Sequence, residues 1–131
     1  MTTEVTMLAY TVTLFAALIA VQAVAGIRTF GLPALAGNRD NLPAPTGFAG
    51  RMQRVVGNHV EGLVVFAPLV LIASVSHISN AWTVLGAQLF FWARLAHAVF
   101  YMIGVPWLRT GVFFAGLAGA VMILLAVLGL I

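Results

Sequence analysis

Apolar residues run in four long blocks, at about 5–27, 52–76, 81–104 and 110–130. A helix needs about 20 mostly apolar residues to cross hydrocarbon, so each block predicts a membrane span. Residues 28–51 break the pattern with Pro33, Pro43, Pro45, Asn38 and Asp40, the turn chemistry of a loop. Ser76 to Asn80 leaves room only for a tight turn, and Asn80 is a suitable N-cap for the third helix. Gly104-Val105-Pro106 separates the third span from the fourth, and Pro68 predicts a kink in the second. The first block contains Ala23-Val24-Ala25, which resembles a cleavage site, but no basic segment precedes it and its apolar run exceeds that of a signal peptide. It reads as a retained span.

Two polar stripes interrupt this pattern. Arg51, Arg54, Asn58 and Glu61 are spaced 3, 4 and 3 apart, which puts them on one helical face. Arg94, His97 and Tyr101 are spaced 3 and 4 apart on the next span. Glu61 lies ten residues inward of Arg51, about 15 Å at 1.5 Å per residue, and Arg94 reaches a similar depth on the antiparallel helix. A lone charge at mid-bilayer costs about 2.5–3.5 kcal/mol on insertion scales, so a Glu61–Arg94 ion pair is expected. Nearer the loop, Arg28, Arg51, Arg54, Asn58, His97 and Tyr101 form an acid-poor group suited to an anion.

Composition sharpens this reading. Of 131 residues, 63% are hydrophobic and 7% charged, whereas a soluble domain has about a quarter charged. The solvent is therefore lipid. The chain lacks cysteine, which removes disulfides and thiolate nucleophiles, and six dispersed arginines do not make a nucleic-acid-binding face. Arg28, Arg39, Arg51 and Arg54 flank the first loop and Arg109 the third, while the opposite side has no Lys or Arg. The positive-inside rule puts the 28–51 loop in the cytoplasm and both termini outside. Trp82 and Trp107, near span ends, fit interfacial anchoring, and Trp92 does not.

His59 lies about 100° off the α-helical stripe and reads as a packing or headgroup residue. His77 falls in the outer turn. No metal site is expected, because the histidines and acids do not converge at ligand spacing. Ala115/Gly119 and Gly116/Ala120 are small-xxx-small pairs that suit either packing within the chain or a subunit contact.

Arg51-x-x-Arg54-x-x-x-Asn58-x-x-Glu61, followed by Arg94-x-x-His97-x-x-x-Tyr101 and an arginine just past the third span, resembles the family of membrane-associated proteins in eicosanoid and glutathione metabolism (MAPEG) over about residues 20–115. The resemblance implies an all-α membrane protein, a four-transmembrane-helix bundle assembling as a homotrimer. It implies glutathione as cosubstrate, bound between subunits near the cytoplasmic face. Arg51, Arg54, Asn58, Glu61, Arg94, His97 and Tyr101 match the family's glutathione-binding positions, and Arg28 looks like the arginine contributed by the adjacent subunit. Arg109 resembles the thiol-activating arginine, with Tyr101 a second candidate for contact with sulfur. Departures are Gly57, where some members carry a further arginine, and a one-residue difference in the spacing from Tyr101 to Arg109.

The implied activity is a transferase joining glutathione thiolate to lipophilic electrophiles, or a peroxidase reducing lipid hydroperoxides. The implied partners are a second and third copy of the chain, membrane lipids and a lipophilic small molecule. With no organelle or retention signal evident, a bacterial inner membrane is the expected setting. Two other classes fit the same spans: a noncatalytic lipid-binding or scaffold trimer, and a small proton-coupled transporter using Glu61.

Overall fold

The computed structural model describes residues 1–131 and is all-helical: α1 (Thr3–Phe30), α2 (Leu32–Ala36), α3 (Gly47–Val75), α4 (Ala81–Ile103) and α5 (Pro106–Val127). The four long helices have 28, 29, 23 and 22 residues. At 1.5 Å per residue each exceeds the roughly 30 Å hydrocarbon core. All four are apolar enough to cross a membrane. Two helix starts differ from the sequence expectation. α3 begins at Gly47, about a turn before residue 52, after Thr46 in an extended conformation. α5 begins at Pro106 rather than near 110, because the first helical position needs no N–H partner and suits a proline. The 28–51 segment is also not wholly loop: α1 continues to Phe30 and α2 forms a short turn beneath it. α3 runs unbroken through Pro68.

Asn80 caps α4 as expected. Its side chain accepts from the Trp82 and Thr83 amides at 2.9 and 3.0 Å, and the Thr83 hydroxyl accepts from the Asn80 amide at 2.9 Å, a reciprocal capping box. At the other end of α4, Gly104 takes a left-handed turn (φ +80°), favoured by glycine, and turns the chain sharply into α5.

The bundle is layered along its axis. One apolar cluster joins Phe66, Leu69 and Val70 of α3 to Ala87 and Phe90 of α4 and Ala120 and Ile123 of α5. Phe66 and Phe90 stack with centroids 3.9 Å apart. A second cluster, nearer the arginine-rich end, joins Leu18 of α1 to Met52 and Val55 of α3 and Ala98 of α4. Between them lies a polar layer of Asn58, His59, Arg94 and His97. Only 26 of 131 residues are buried, so most of the apolar excess lies on the outer surface, where lipid can cover it.

The small residues of α5 pack within the chain. Gly119 lies against Gly86 so closely that a Cβ on either would come within 2.5–2.6 Å of the other's carbonyl oxygen. Gly116 and Ala120 are also buried in the α4–α5 seam. Of the two roles open to these pairs, the chain itself supplies the first.

Candidate functional site

α4 turns its polar stripe into the bundle, whereas α3 carries its own on the flank. Arg94 and His97 are each 3% exposed. On α3 the buried stripe is Met52, Val55, His59, Phe66, Leu69 and Ala73. The polar stripe is offset from it by one residue, so Arg54 and Glu61 are exposed, and Arg51 and Asn58 half-buried.

This offset overturns the expected Glu61–Arg94 pair. The Arg94 stem passes between two glycines: added Cβ atoms on Gly62 of α3 and Gly116 of α5 would each lie 3.5 Å from it. Its Nη2 then donates to Asn58 Oδ1 at 2.6 Å and lies 3.2 Å from His59 Nδ1. Glu61 accepts none of its hydrogen bonds. Depth along the helix brings these groups to neighbouring levels, but the direction each faces leaves them without a shared hydrogen bond.

Of the two roles the sequence left open for His59, packing and headgroup contact, the structure shows packing. His59 is 2% exposed, with Nε2 3.2 Å from the Arg94 carbonyl and Nδ1 3.0 Å from the Val55 carbonyl as well as near Nη2 of Arg94. In the Nε2–H tautomer the ring accepts from the Arg94 side chain and donates to the Arg94 backbone. One imidazole thus grips both ends of the same arginine. Its place on the apolar stripe Met52/Val55/Phe66 was the available signal.

Tyr101 is the centre of a second group, toward the arginine-rich end. Arg54 Nε donates to its hydroxyl at 3.0 Å. The Gly104 turn brings the first turn of α5 back over the ring, with the Arg109 guanidinium 4.4 Å from the centroid, a cation–π contact. His97 lies on the inner side, its centroid 5.6 Å from Tyr101 and 5.9 Å from His59. Arg51 Nε donates to the Met102 carbonyl at 3.2 Å, next to Tyr101. Arg51, Arg54 and Arg109 thus gather at the α4–α5 turn, and none has a carboxylate partner. The chain's three acids are elsewhere: Glu4 at the opposite end, Asp40 in the first loop and Glu61 on the exposed face of α3. Buried Arg94 Nε and His97 Nδ1 also have no partner. The three arginines at the turn can hold an anion through charge-assisted bonds and stabilise a developing negative charge.

Arg28 stands apart. It is exposed in the last turn of α1 and lines a cavity of about 520 Å³ with Thr29, Thr46 and Phe48. It makes no hydrogen bond to the Tyr101 group within this chain. No three His, Asp or Glu residues converge on a common point that could hold a metal.

Sequence reasoning also missed Glu4. It is 2% exposed, and its Oε1 accepts from Ser79 Oγ at 2.9 Å and from the Thr83 hydroxyl. It ties the start of α1 to the cap of α4. Its partners are more than seventy residues away, beyond any local spacing rule.

No curated protein and no solved structure matches the chain. The MAPEG family model matches residues 4–129, and with its four apolar helices the chain belongs to the MAPEG family, as a multi-pass membrane protein.

Proposed function

We propose that this protein binds glutathione and uses its thiolate against lipophilic substrates, by conjugation or by hydroperoxide reduction. The observation that carries the reading is the gathering of Arg51, Arg54 and Arg109 around Tyr101 with no carboxylate among them. Glutathione brings two carboxylates and a thiol. Arginines can hold the carboxylates in bidentate fashion, and exposed Glu61 is free to take the ammonium. Asn58 has its carbonyl oxygen committed to Arg94, so it offers the ligand its amide hydrogens.

A cysteine thiol has an unperturbed pKa of about 8.5, and each unit of lowering needs about 1.4 kcal/mol of preferential interaction with the thiolate. Arg109 is assigned that role, since its guanidinium stays charged and has no other anion to neutralise. Tyr101 keeps its hydroxyl hydrogen while accepting from Arg54, and can donate it to sulfur. In conjugation the thiolate attacks an electrophilic carbon, forming a C–S bond as the leaving group departs with its electron pair, or as the electrons of an activated double bond shift onto its activating group and a proton is then taken up. In reduction it attacks the terminal peroxide oxygen, releasing alcohol after protonation. The resulting sulfenic acid condenses with a second glutathione to give disulfide and water.

Assembly as a homotrimer belongs to the same proposal. Glu61 is exposed on a membrane-spanning face, where a bare carboxylate is costly, and a neighbouring subunit would cover it. Arg28, apart from the site in its own chain, would then serve a neighbour's site. The inside rule places the arginine-rich end in the cytoplasm, with a bacterial inner membrane as the setting. The transporter reading gains one point, that Glu61 has no ion partner. Glu61 does not line the cavity at Arg28, however.

Calorimetric titration of the detergent-solubilised protein with glutathione tests binding, and absence of binding at millimolar concentration would refute the proposal. Ultraviolet difference absorbance then tests activation: Arg109→Ala should retain glutathione and lose the thiolate band. An unchanged band moves the role to another residue.

A further inference from the structure

A second cavity, of about 640 Å³, lies at the arginine-rich end between the last turns of α1, the short helix α2 and the start of α3. Its volume is within the roughly 300–1,000 Å³ range of small-molecule sites. One side is apolar, with Ile27 and Phe30 of α1 facing Leu35 of α2. Three polar side chains line the remainder: Gln22, Gln53 and Arg39.

Two of these are unusual for their place. Gln22 lies eight residues from the end of α1, about 12 Å along a helix otherwise suited to lipid. Its amide makes no hydrogen bond within the chain, although an unpartnered amide near hydrocarbon is costly. Gln53 is exposed near the start of α3, and its amide is likewise free to meet a ligand. Arg39 has a left-handed backbone (φ +66°), which non-glycine residues rarely adopt. Its Nε is fixed by the Leu35 carbonyl at 2.7 Å, which leaves both terminal nitrogens free at the wall. A backbone held in an uncommon conformation to present a cation, two unpaired amides and an apolar trough describe one kind of ligand.

We propose that this cavity binds a single-chain amphiphile with an acidic headgroup. The acid is held by Arg39 and the two glutamine amides, and the chain lies along Ile27, Phe30 and Leu35. The site is separate from the Tyr101 group and does not depend on glutathione. The same acidic chemistry has two sources, a free fatty acid or an anionic lysophospholipid.

The test uses the full-length protein in phosphatidylcholine nanodiscs and a diazirine-bearing fatty acid as probe, with labelled peptides identified by mass spectrometry. Labelling is expected on residues 19–36 and 49–53. Competition by oleate alone identifies a carboxylate site, and competition by lysophosphatidylglycerol alone a phosphate site. Competition by both supports recognition of the shared anion. Arg39→Gln should cut labelling at least fivefold, and Ala23→Trp, which fills the trough, should abolish it, with the thermal midpoint unchanged in both. Asp40→Asn, removing the negative charge beside Arg39 in the exposed loop, should increase labelling. Equal competition by neutral monoolein would overturn the proposal. So would labelling spread evenly over the lipid-facing side of α5, or labelling unaltered in both Arg39→Gln and Asp40→Asn. Intact glutathione binding in Ala23→Trp separates failure here from failure of the function proposed above.

Discussion

The two ends of the bundle treat charge in opposite ways. At one end, Glu4 is buried and its Oε1 is taken by the hydroxyls of Ser79 and Thr83, beside the N-terminus of α4, whose dipole favours an anion. At the other, three arginines surround a tyrosine and no acid answers them. Arg94, midway, behaves like Glu4: it is buried and bound by Asn58 and His59. Charges buried and bound by their own chain hold the bundle together, although Glu4 Oε2 and Arg94 Nε keep no partner. Charges left open are available to something that is not the chain. A list of ionisable residues in the spans would not distinguish the two kinds.

The largest expected effect tests this division at Arg94. Arg94→Met would leave Asn58 and His59 short of partners in a buried layer, at about 1–3 kcal/mol for each orphaned group. Arg54→Met removes a hydrogen bond at an exposed position and should stay within about 0.5 kcal/mol. Thermal unfolding in detergent should therefore show a large drop for the first and almost none for the second. The reverse order would mean that the chain does not close off Arg94 as described. Glu61→Gln should resemble Arg54→Met in stability, since Glu61 takes no bond from Arg94.

His59 and Glu61 show how much of this was legible. The four spans followed from apolar run length, and the depth of each polar group from the rise per residue. The α4 cap was visible in Asn80, and the guanidiniums that gather at the α4–α5 turn all belong to the polar positions read from the sequence. The direction each helix faces was not legible from polar residues alone. The α3 stripe is regular enough to suggest an inward face, yet the helix buries the neighbouring stripe Met52, Val55, His59 and Phe66. In lipid the outside is apolar too, so hydrophobicity does not tell inside from outside as it does in water. The modest polar stripe was therefore a weak guide to orientation. Glu4 was hidden for another reason: its partners come from the turn between α3 and α4, which only the folded bundle brings near.

A smaller effect is expected at Glu4. Glu4→Leu leaves the Ser79 and Thr83 hydroxyls without their acceptor and loosens the first turns of α1. About 1–3 kcal/mol is at stake, the cost of unmaking buried hydrogen bonds. Hydrogen exchange should quicken at the start of α1 and around Ser76 to Asn80, while glutathione binding at the far end stays within twofold. Loss of glutathione binding would show the two ends to be coupled and would break the comparison.

The smallest structural change gives the sharpest test of the open end. Tyr101→Phe removes one oxygen, keeps the ring beneath Arg109 and frees Arg54 from its only side-chain partner. The bond is at the surface, so the unfolding midpoint should barely move. If Arg54 is held there for a ligand carboxylate, glutathione affinity should fall by about tenfold, the roughly 1.4 kcal/mol of one charge-assisted hydrogen bond. A double-mutant cycle with Arg54→Met isolates the coupling. If the tyrosine acts by orienting the arginine, the second substitution should add little to the first. Fully additive losses would show that Tyr101 and Arg54 meet the ligand independently, and the open end would then be a set of separate contacts instead of one preorganised receptor.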